Sequence, residues 1–359
     1  MDACGGRSGL REPMIRGGTG PFRVTTPNRV DLAGGTLDIY PLYLLVDDAT
    51  TVNVAISVRS VVDVRPFRRG YFRLHSRNYG VSALSSDSHG IPLDGKLGLL
   101  SRAIRQYPAV SGVEIVVGNE APLGSGIGAS SALLVAVMLA MGRLTASGRP
   151  RVDMSREASE IEAAHLRTLT GRQDHLAALR GGVQAIRFLP GRADARRLPS
   201  GGAAGAMLAR HGFLAHTGVA HHSADVNWRM IRGAIGGDTA VLRKFRGIAS
   251  AAREAWRAVS SADPAALAAA VSAEWAIRRT LAPGVTIRKV DALLDMRPFR
   301  RLVSGAKLCG AGGGGMLFGL LRDPSRRREL ETLLSAARME PVPFRPSGGA
   351  RFQGIPDAG

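Results

Sequence analysis

The stretch Ala121-Pro122-Leu123-Gly124-Ser125-Gly126-Ile127-Gly128-Ala129-Ser130-Ser131-Ala132 decides how this chain is read. Before it, Val113 to Val117 is a mostly β-branched run without Pro or Gly, which predicts a strand. After it, Ser131 to Met141 holds almost no polar residue, which predicts a buried helix. Gly124, Gly126 and Gly128 let the intervening backbone turn tightly and bring several N–H groups toward one point. The helix start adds unsatisfied donors and a positive dipole end, and Ser130 and Ser131 add hydroxyls. Such a segment is either an ordinary glycine loop closing a strand-to-helix turn or a cradle for phosphate, and the paired serines favour the cradle. It is not a Walker A loop, because no Gly-Lys-Ser/Thr follows the glycines.

Working outward, 359 residues with 45% hydrophobic content suffice for two domains sharing a cleft. Residues 1–20 are rich in Gly and Arg and lack an apolar core, so they read as a loose, disordered tail rather than a secretory signal. Asp2 and Glu12 count against a transit peptide. No window approaches 18 uninterrupted apolar residues, so no membrane span is expected. Cys4 and Cys309 are too few for a disulfide framework or a zinc site, and a cytoplasmic location fits best. The net charge of +19 invites a nucleic-acid reading. Against it, the arginines are scattered, the longest basic run is Arg326-Arg327-Arg328, and only 5% of residues are aromatic. The charge suits anionic small molecules such as nucleotides and sugar phosphates, although codon bias would also enrich arginine.

Along the chain, an extended segment from Phe22 is broken at Pro27, and Val52, Val54, Ile56 and Val58 alternate as a half-buried strand. A helix is predicted from Ser155 to Leu169, stopped by Gly171, with a strand at Val183 to Phe188. Pro190 to Gly205 reads as a linker, Met207 to Thr217 as extended, and Asp225 to Ile277 and Val285 to Val303 as helical. Helices and strands mixed in both halves predict an α+β fold.

Three further places carry chemistry. Ala158, Glu162, Leu166 and Leu169 share one helix face, so Glu162 interrupts an apolar stripe. It either pairs with an arginine or, with Ser130 as a second oxygen, holds Mg²⁺. Asp174, in Gly171-Arg172-Gln173-Asp174-His175, is either a turn-capping residue or a loop carboxylate that takes a proton from a hydroxyl nucleophile. Arg29 is placed to keep it ionised. Lys307-Leu-Cys-Gly-Ala-Gly-Gly-Gly-Gly-Met316 is either a flexible linker or an embedded loop that something approaches closely. His216, His221 and His222 form the only dense histidine group, suited to lining a pocket more than to holding metal. Trp228, Trp256 and Trp275 sit in helical stretches as core or domain-contact residues.

Asn28 to Asp38, Pro122 to Ala132 and Gly305 to Gly315, in this order and spacing, resemble the three motifs of the GHMP kinase superfamily, named for galactokinase, homoserine kinase, mevalonate kinase and phosphomevalonate kinase. Within it, Gly171 to His175 followed by Gly181-Gly182 most resembles the sugar kinases related to heptose 7-phosphate kinase and fucokinase, which phosphorylate sugars at C1. The resemblance implies a domain like the second domain of ribosomal protein S5 over 21–200 and a ferredoxin-like domain over 201–359, with the active site between them. It implies Asp174 as catalytic aspartate assisted by Arg29. ATP is implied on Pro122, Gly124, Ser125, Gly126, Ile127, Gly128, Ala129, Ser130 and Ser131, with Mg²⁺ on Ser130 and Glu162. The sugar or sugar phosphate is implied at Gly35, Thr36, Asp38, Gln173, Gly310, Ala311, Gly312 and Gly313, in a monomer or homodimer. Two departures matter. Gly35 and Thr36 replace the Glu-His of galactokinases, and Ala129 replaces the first serine of the usual Ser-Ser-Ser. The rival readings are a kinase or decarboxylase acting on a non-sugar alcohol or acid, a non-catalytic nucleotide sensor, and a nucleic-acid module.

Overall fold

The computed structural model describes residues 20–147, 151–220 and 223–356. The loose tail, Cys4, His221 and His222 therefore lie outside the described residues. Two sheets organise the rest. The first has β1 (Phe22–Ala33), β2 (Thr50–Pro66), β3 (Phe72–Ser76), β4 (Val81–Ser85), β5 (Val113–Asn119), β6 (Val183–Leu189) and β7 (Arg192–Leu198). The second has β8 (Gly212–His216), β9 (Val303–Leu308), β10 (Met316–Leu321) and the short β11 (Glu340–Pro341), in the order β11-β8-β10-β9. The last strand, β12 (Arg351–Gly354), returns to the first sheet beside β1.

Alternating β-branched residues make β2 the spine of the first sheet. Its early part pairs with β6 (Thr50 opposite Arg187) and its late part with β5 (Ser60 opposite Asn119), while β1 lies along its other edge. Pairs are antiparallel except β3 with β5. Pro27 does not break β1. It sits at a register shift between Pro27 and Arg29, where a missing N–H is tolerated.

Helices cover both sheets. α1 (Leu42–Leu45) is a single turn. α2 (Gly98–Ile104), α3 (Ala129–Leu144), α4 (Arg151–Leu166) and α5 (Gln173–Arg180) serve the first sheet. α3 is apolar nearly all round because it is buried on most sides, with Leu134, Val135, Met138 and Met141 packed among Val62, Leu74 and Val117. α6 (Ala203–His211), α7 (Ser223–Ile235), α8 (Thr239–Ser260), α9 (Pro264–Arg278), α10 (Arg288–Asp295), α11 (Arg297–Leu302) and α12 (Arg327–Ala336) follow. The N-termini of α8 and α9 are capped by Asp238 and Asp263, each accepting two backbone N–H bonds. A shared core of Leu32, Val54 and Ile56 with Ala255, Val271 and Phe318 joins the two layers.

Several expectations need correction. Pro190 to Gly205 is not a linker. Pro190 and Gly191 form a two-residue turn, β7 runs back along β6, and α6 starts at Ala203. The alternating charges of β7 mark a solvated edge strand, which looks like a loop in sequence. Met207 to His211 is helical, and only Gly212 to His216 is extended. Of the stripe around Glu162, Ala158 is buried but Leu166 is largely exposed. Trp275 is buried, whereas Trp228 is half exposed and belongs to no core. His216 is partly buried on β8, away from the cleft described below.

Candidate active site

The glycine loop turns through left-handed conformations at Gly124 (φ 68°), Gly126 (73°) and Gly128 (73°). Gly128 is the N-cap of α3 and supplies no side chain to it, so the first-turn N–H groups, beside Ser130 and Ser131, stay available to a ligand. The Ser125 hydroxyl is buried without a partner. Residues of the third glycine cluster hold the loop from behind. Met316 N donates to the Ser125 carbonyl at 2.9 Å, and a Cβ on Gly315 would lie 2.5 Å from that oxygen. A Cβ on Gly310 would lie 2.9 Å from the Gly126 carbonyl. The cluster is embedded between β9 and β10 because two backbones meet there.

Asp174 lies in the first turn of α5 rather than in a loop. Its carboxylate faces the loop closely, since a Cβ on Gly128 would lie 2.9 Å from Oδ2. Arg29 ties the two together. Its Nε donates to Asp174 Oδ1 at 2.6 Å and its Nη1 to the Gly126 carbonyl at 2.7 Å. Burial opposes the charge of Arg29, but Asp174 and Asp31 more than offset that and hold it protonated. Beside this pair, Asp38 accepts from Gln173 N (3.1 Å) and Gln173 Nε2 (3.4 Å). Burial, with the Asp174 charge second, pushes Asp38 up to about 6. Gly171 fits only as glycine, because a Cβ would stand 1.8 Å from Asp38 Oδ2.

On the other side of α3's start, Ser130 Oγ donates to Glu162 Oε1 at 2.9 Å, and Ser131 Oγ lies 2.8 Å from Oε2. His175 Nε2 stands 3.2 Å from Oε2. Burial disfavours the Glu162 charge, but the neighbouring His175 imidazole and the bonds from Ser131 and Ser130 outweigh it and hold the carboxyl below the ordinary range. Among the described residues no arginine pairs with Glu162. Its carboxylate and the Ser130 hydroxyl form a hard-oxygen donor set that fits Mg²⁺, and the uncapped loop with its orphaned Ser125 hydroxyl fits phosphate.

These groups line one cleft of about 460 Å³ between the glycine loop, α4, the start of α5 and the Gly310-Ala311 turn. Residues 97–182 match the family described as GHMP kinases N terminal domain, and residues 250–337 match GHMP kinases C terminal. The chain belongs to the GHMP kinase superfamily. Among its relatives is the D-glycero-α-D-manno-heptose 7-phosphate kinase of Campylobacter jejuni, 24% identical over 86% of this chain and 91% of that protein. The mevalonate kinase of Aeropyrum pernix is 29% identical over 71% of this chain and 75% of its own. The crystal structure of a D-glycero-D-manno-heptose 1-phosphate kinase from Bacteroides thetaiotaomicron superposes with a TM-score of 0.74 at 21% identity, covering 94% of this chain and 100% of that one. The α+β, two-domain GHMP kinase fold expected from the motifs is the fold observed.

In this GHMP kinase the cleft brings together Arg29, Gly35, Thr36, Asp38, Gly124, Ser125, Gly126, Gly128, Ala129, Ser130, Ser131, Glu162, Gln173, Asp174, Gly310 and Ala311. Pro122 and Ile127 shape the loop without lining the cleft. Gly312 and Gly313 turn instead to Val285, whose carbonyl accepts from Gly313 N at 2.8 Å. Sequence reasoning missed Ser76, Asn78, Tyr79 and Asn119, which line the cleft from strands of the first sheet and their turn, and Lys96, which lines it from the helical turn before α2. Asn78 Nδ2 donates to the Asn119 carbonyl at 2.8 Å and Lys96 sits over the Tyr79 ring. Their one sequence signal was the turn at Asn78-Tyr79-Gly80. Among the described residues no group of three or more His, Cys, Asp or Glu is arranged to hold a metal. None of the helices among the described residues is long and apolar enough to cross a membrane.

Proposed function

We propose that this GHMP kinase transfers the γ-phosphoryl group of ATP to a hydroxyl of a sugar or sugar phosphate, at the anomeric C1 position. One observation carries the reading: a carboxylate fixed by an arginine faces an uncapped glycine loop, with a serine–glutamate donor pair at the same helix start. Phosphoryl transfer needs chiefly positioning and charge stabilisation, and these residues supply both. The named activities of the heptose phosphate kinases among its relatives support a sugar acceptor.

The loop N–H groups of 124–131 would hold the nucleotide phosphates, and Ser130 and Glu162 would hold Mg²⁺. Bound there, ATP with Mg²⁺ supplies the phosphoryl group and neutralises charge on its oxygens. Asp174 uses Oδ1 to accept from Arg29, which leaves Oδ2 to orient the acceptor hydroxyl and take its proton. Arg29 holds that carboxylate in place and adds positive charge beside the transferring group. Asp38, held by Gln173, accepts a second sugar hydroxyl, while Gly35, Thr36, Gly310 and Ala311 form the surrounding wall. The reading places the protein in the cytoplasm, as a monomer or homodimer.

The test is ADP release with Mg²⁺-ATP against free hexoses, heptoses, uronic acids, their terminal phosphates, and mevalonate. Turnover on a sugar class that falls at least ~10²-fold in Asp174→Asn is expected. Turnover on mevalonate alone, or near-wild-type activity in the variant, would overturn the sugar reading or the role of Asp174 respectively.

A further inference from the structure

Behind the acceptor end of the cleft lies a fully buried group of four charges. Asp31 on β1, Glu274 and Arg278 on α9, and Lys307 on β9 all have side chains at 0% exposure. Lys307 Nζ stands 2.9 Å from Asp31 Oδ2 and 3.2 Å from Glu274 Oε2, and Arg278 Nε donates to Glu274 Oε1 at 2.6 Å. Two positive and two negative groups leave the cluster neutral. Its presence is not explained by stability, because buried ions pay a large desolvation cost and apolar replacements are often as stable.

What Arg278 does with its remaining donors points elsewhere. Nη1 donates to Thr36 Oγ1 at 3.0 Å and Nη2 to the Gly35 carbonyl at 2.5 Å. Thr36 sits at φ 73°, a left-handed conformation that a β-branched residue keeps only where its surroundings enforce it. Gly35 is boxed in from the same side, since a Cβ there would lie 2.4 Å from Asp31 Oδ2 and 3.2 Å from Arg278 Nη2. The cluster fills the space that a side chain at position 35 would need and clamps the turn from behind. Turn hydrogen bonds from Leu37 N to the Gly34 carbonyl and from Ile39 N to the Thr36 carbonyl carry that geometry on to Asp38.

We propose that Arg278, itself fixed by Glu274, which Lys307 links to Asp31, is a positioning residue that sets the Gly35–Thr36 turn and through it Asp38. It would govern acceptor affinity while leaving the nucleotide end alone. The inference rests on the kinase reading above and deepens it, naming what holds the turn at the acceptor end of the cleft.

Steady-state kinetics and melting curves of three variants test it, on an acceptor that the wild type phosphorylates. Arg278→Lys keeps the charge but loses the fork that spans two partners. Gly35→Ala presses on the same contact from the other side. Thr36→Gly removes the hydroxyl that Arg278 holds, while glycine accepts the left-handed φ and the four charges stay intact, so it carries the test if the other two fail to fold. The expected result is an acceptor KM raised about tenfold or more, the loss of one charge-assisted contact, with the KM for ATP within about twofold. An unchanged acceptor KM, or equal rises in both KM values with a lowered melting temperature, would overturn the inference in favour of a purely structural cluster. Wild-type protein that turns over no acceptor removes the kinase reading itself, and this inference with it.

Discussion

Gly171 offers the sharpest perturbation of the proposed acceptor site. An alanine Cβ there would lie 1.8 Å from Oδ2, 2.3 Å from Cγ and 2.8 Å from Oδ1 of Asp38. Gly171 is not at positive φ, so its backbone accepts alanine and the effect falls on the carboxylate alone. Restoring ordinary contact requires Asp38 to move by roughly 1.5 Å, since carbon and oxygen atoms pack at more than ~3 Å. That displacement breaks its bonds from Gln173 N and Nε2, now 3.1 and 3.4 Å long. A hydrogen bond to a charged group is worth about 1.5–3 kcal/mol, so losing the one Asp38 makes to substrate weakens acceptor binding about 10- to 100-fold. Coupled-enzyme measurement of ADP release, varying acceptor at saturating ATP and then the reverse, gives both KM values for Gly171→Ala. We expect the acceptor KM to rise by that factor and the ATP KM to stay within about twofold, because the glycine loop is untouched. An acceptor KM within about threefold of wild type would refute the placement of Asp38 against the substrate.

The raised pKa of Asp38, about 6, makes the acceptor KM rise as pH falls through 6 while the ATP KM stays flat; a flat acceptor profile from pH 7 to 5 would contradict this. The same shift acts on stability with the opposite sense. The folded state binds this proton more tightly than the unfolded chain, whose value is near 3.8, so the stabilisation is complete below that value and lost as pH rises through about 6. Asp38→Asn should therefore raise the melting temperature at pH 8, by at most ~3 kcal/mol of stability, and an unchanged or lower value would count against a charged, buried Asp38. Glu162→Gln keeps hydrogen-bonding atoms for Ser131 but removes the charge. The Mg²⁺ concentration for half-maximal rate should increase about tenfold or more, and an unaltered Mg²⁺ dependence would remove Glu162 from the donor set.

What the sequence revealed depended on how local the cause was. The loop of 121–132 was legible because tight turns demand glycine and its flanks carry clean apolar runs. Glu162 was legible as one carboxylate on an apolar stripe, even though Leu166 of that stripe faces solvent. Asp174 was visible as a residue but not as a helical one, because α5 is only eight residues long and sits between glycines, too short to display a period. β7 was hidden by its charges. The four-charge cluster was illegible as a whole because its members meet only through the fold, Lys307 and Asp31 lying 276 positions apart. Its traces were a lysine inside an apolar strand and the Glu274–Arg278 pair one helical turn apart.

β1 carries Arg29 and Asp31, and its outer neighbour is β12, with Phe22 opposite Gly354 and Thr25 opposite Arg351. During synthesis the strand that holds Arg29 is made well before β12 and waits for this second partner until nearly every other described residue has been translated. Through that interval its outer edge presents unpaired backbone groups to any strand that passes, a standing invitation to mispairing. A sheet whose edge closes by pairing strands so far apart in sequence favours slow, late closure, and it ties the assembly of the cleft to that distant contact.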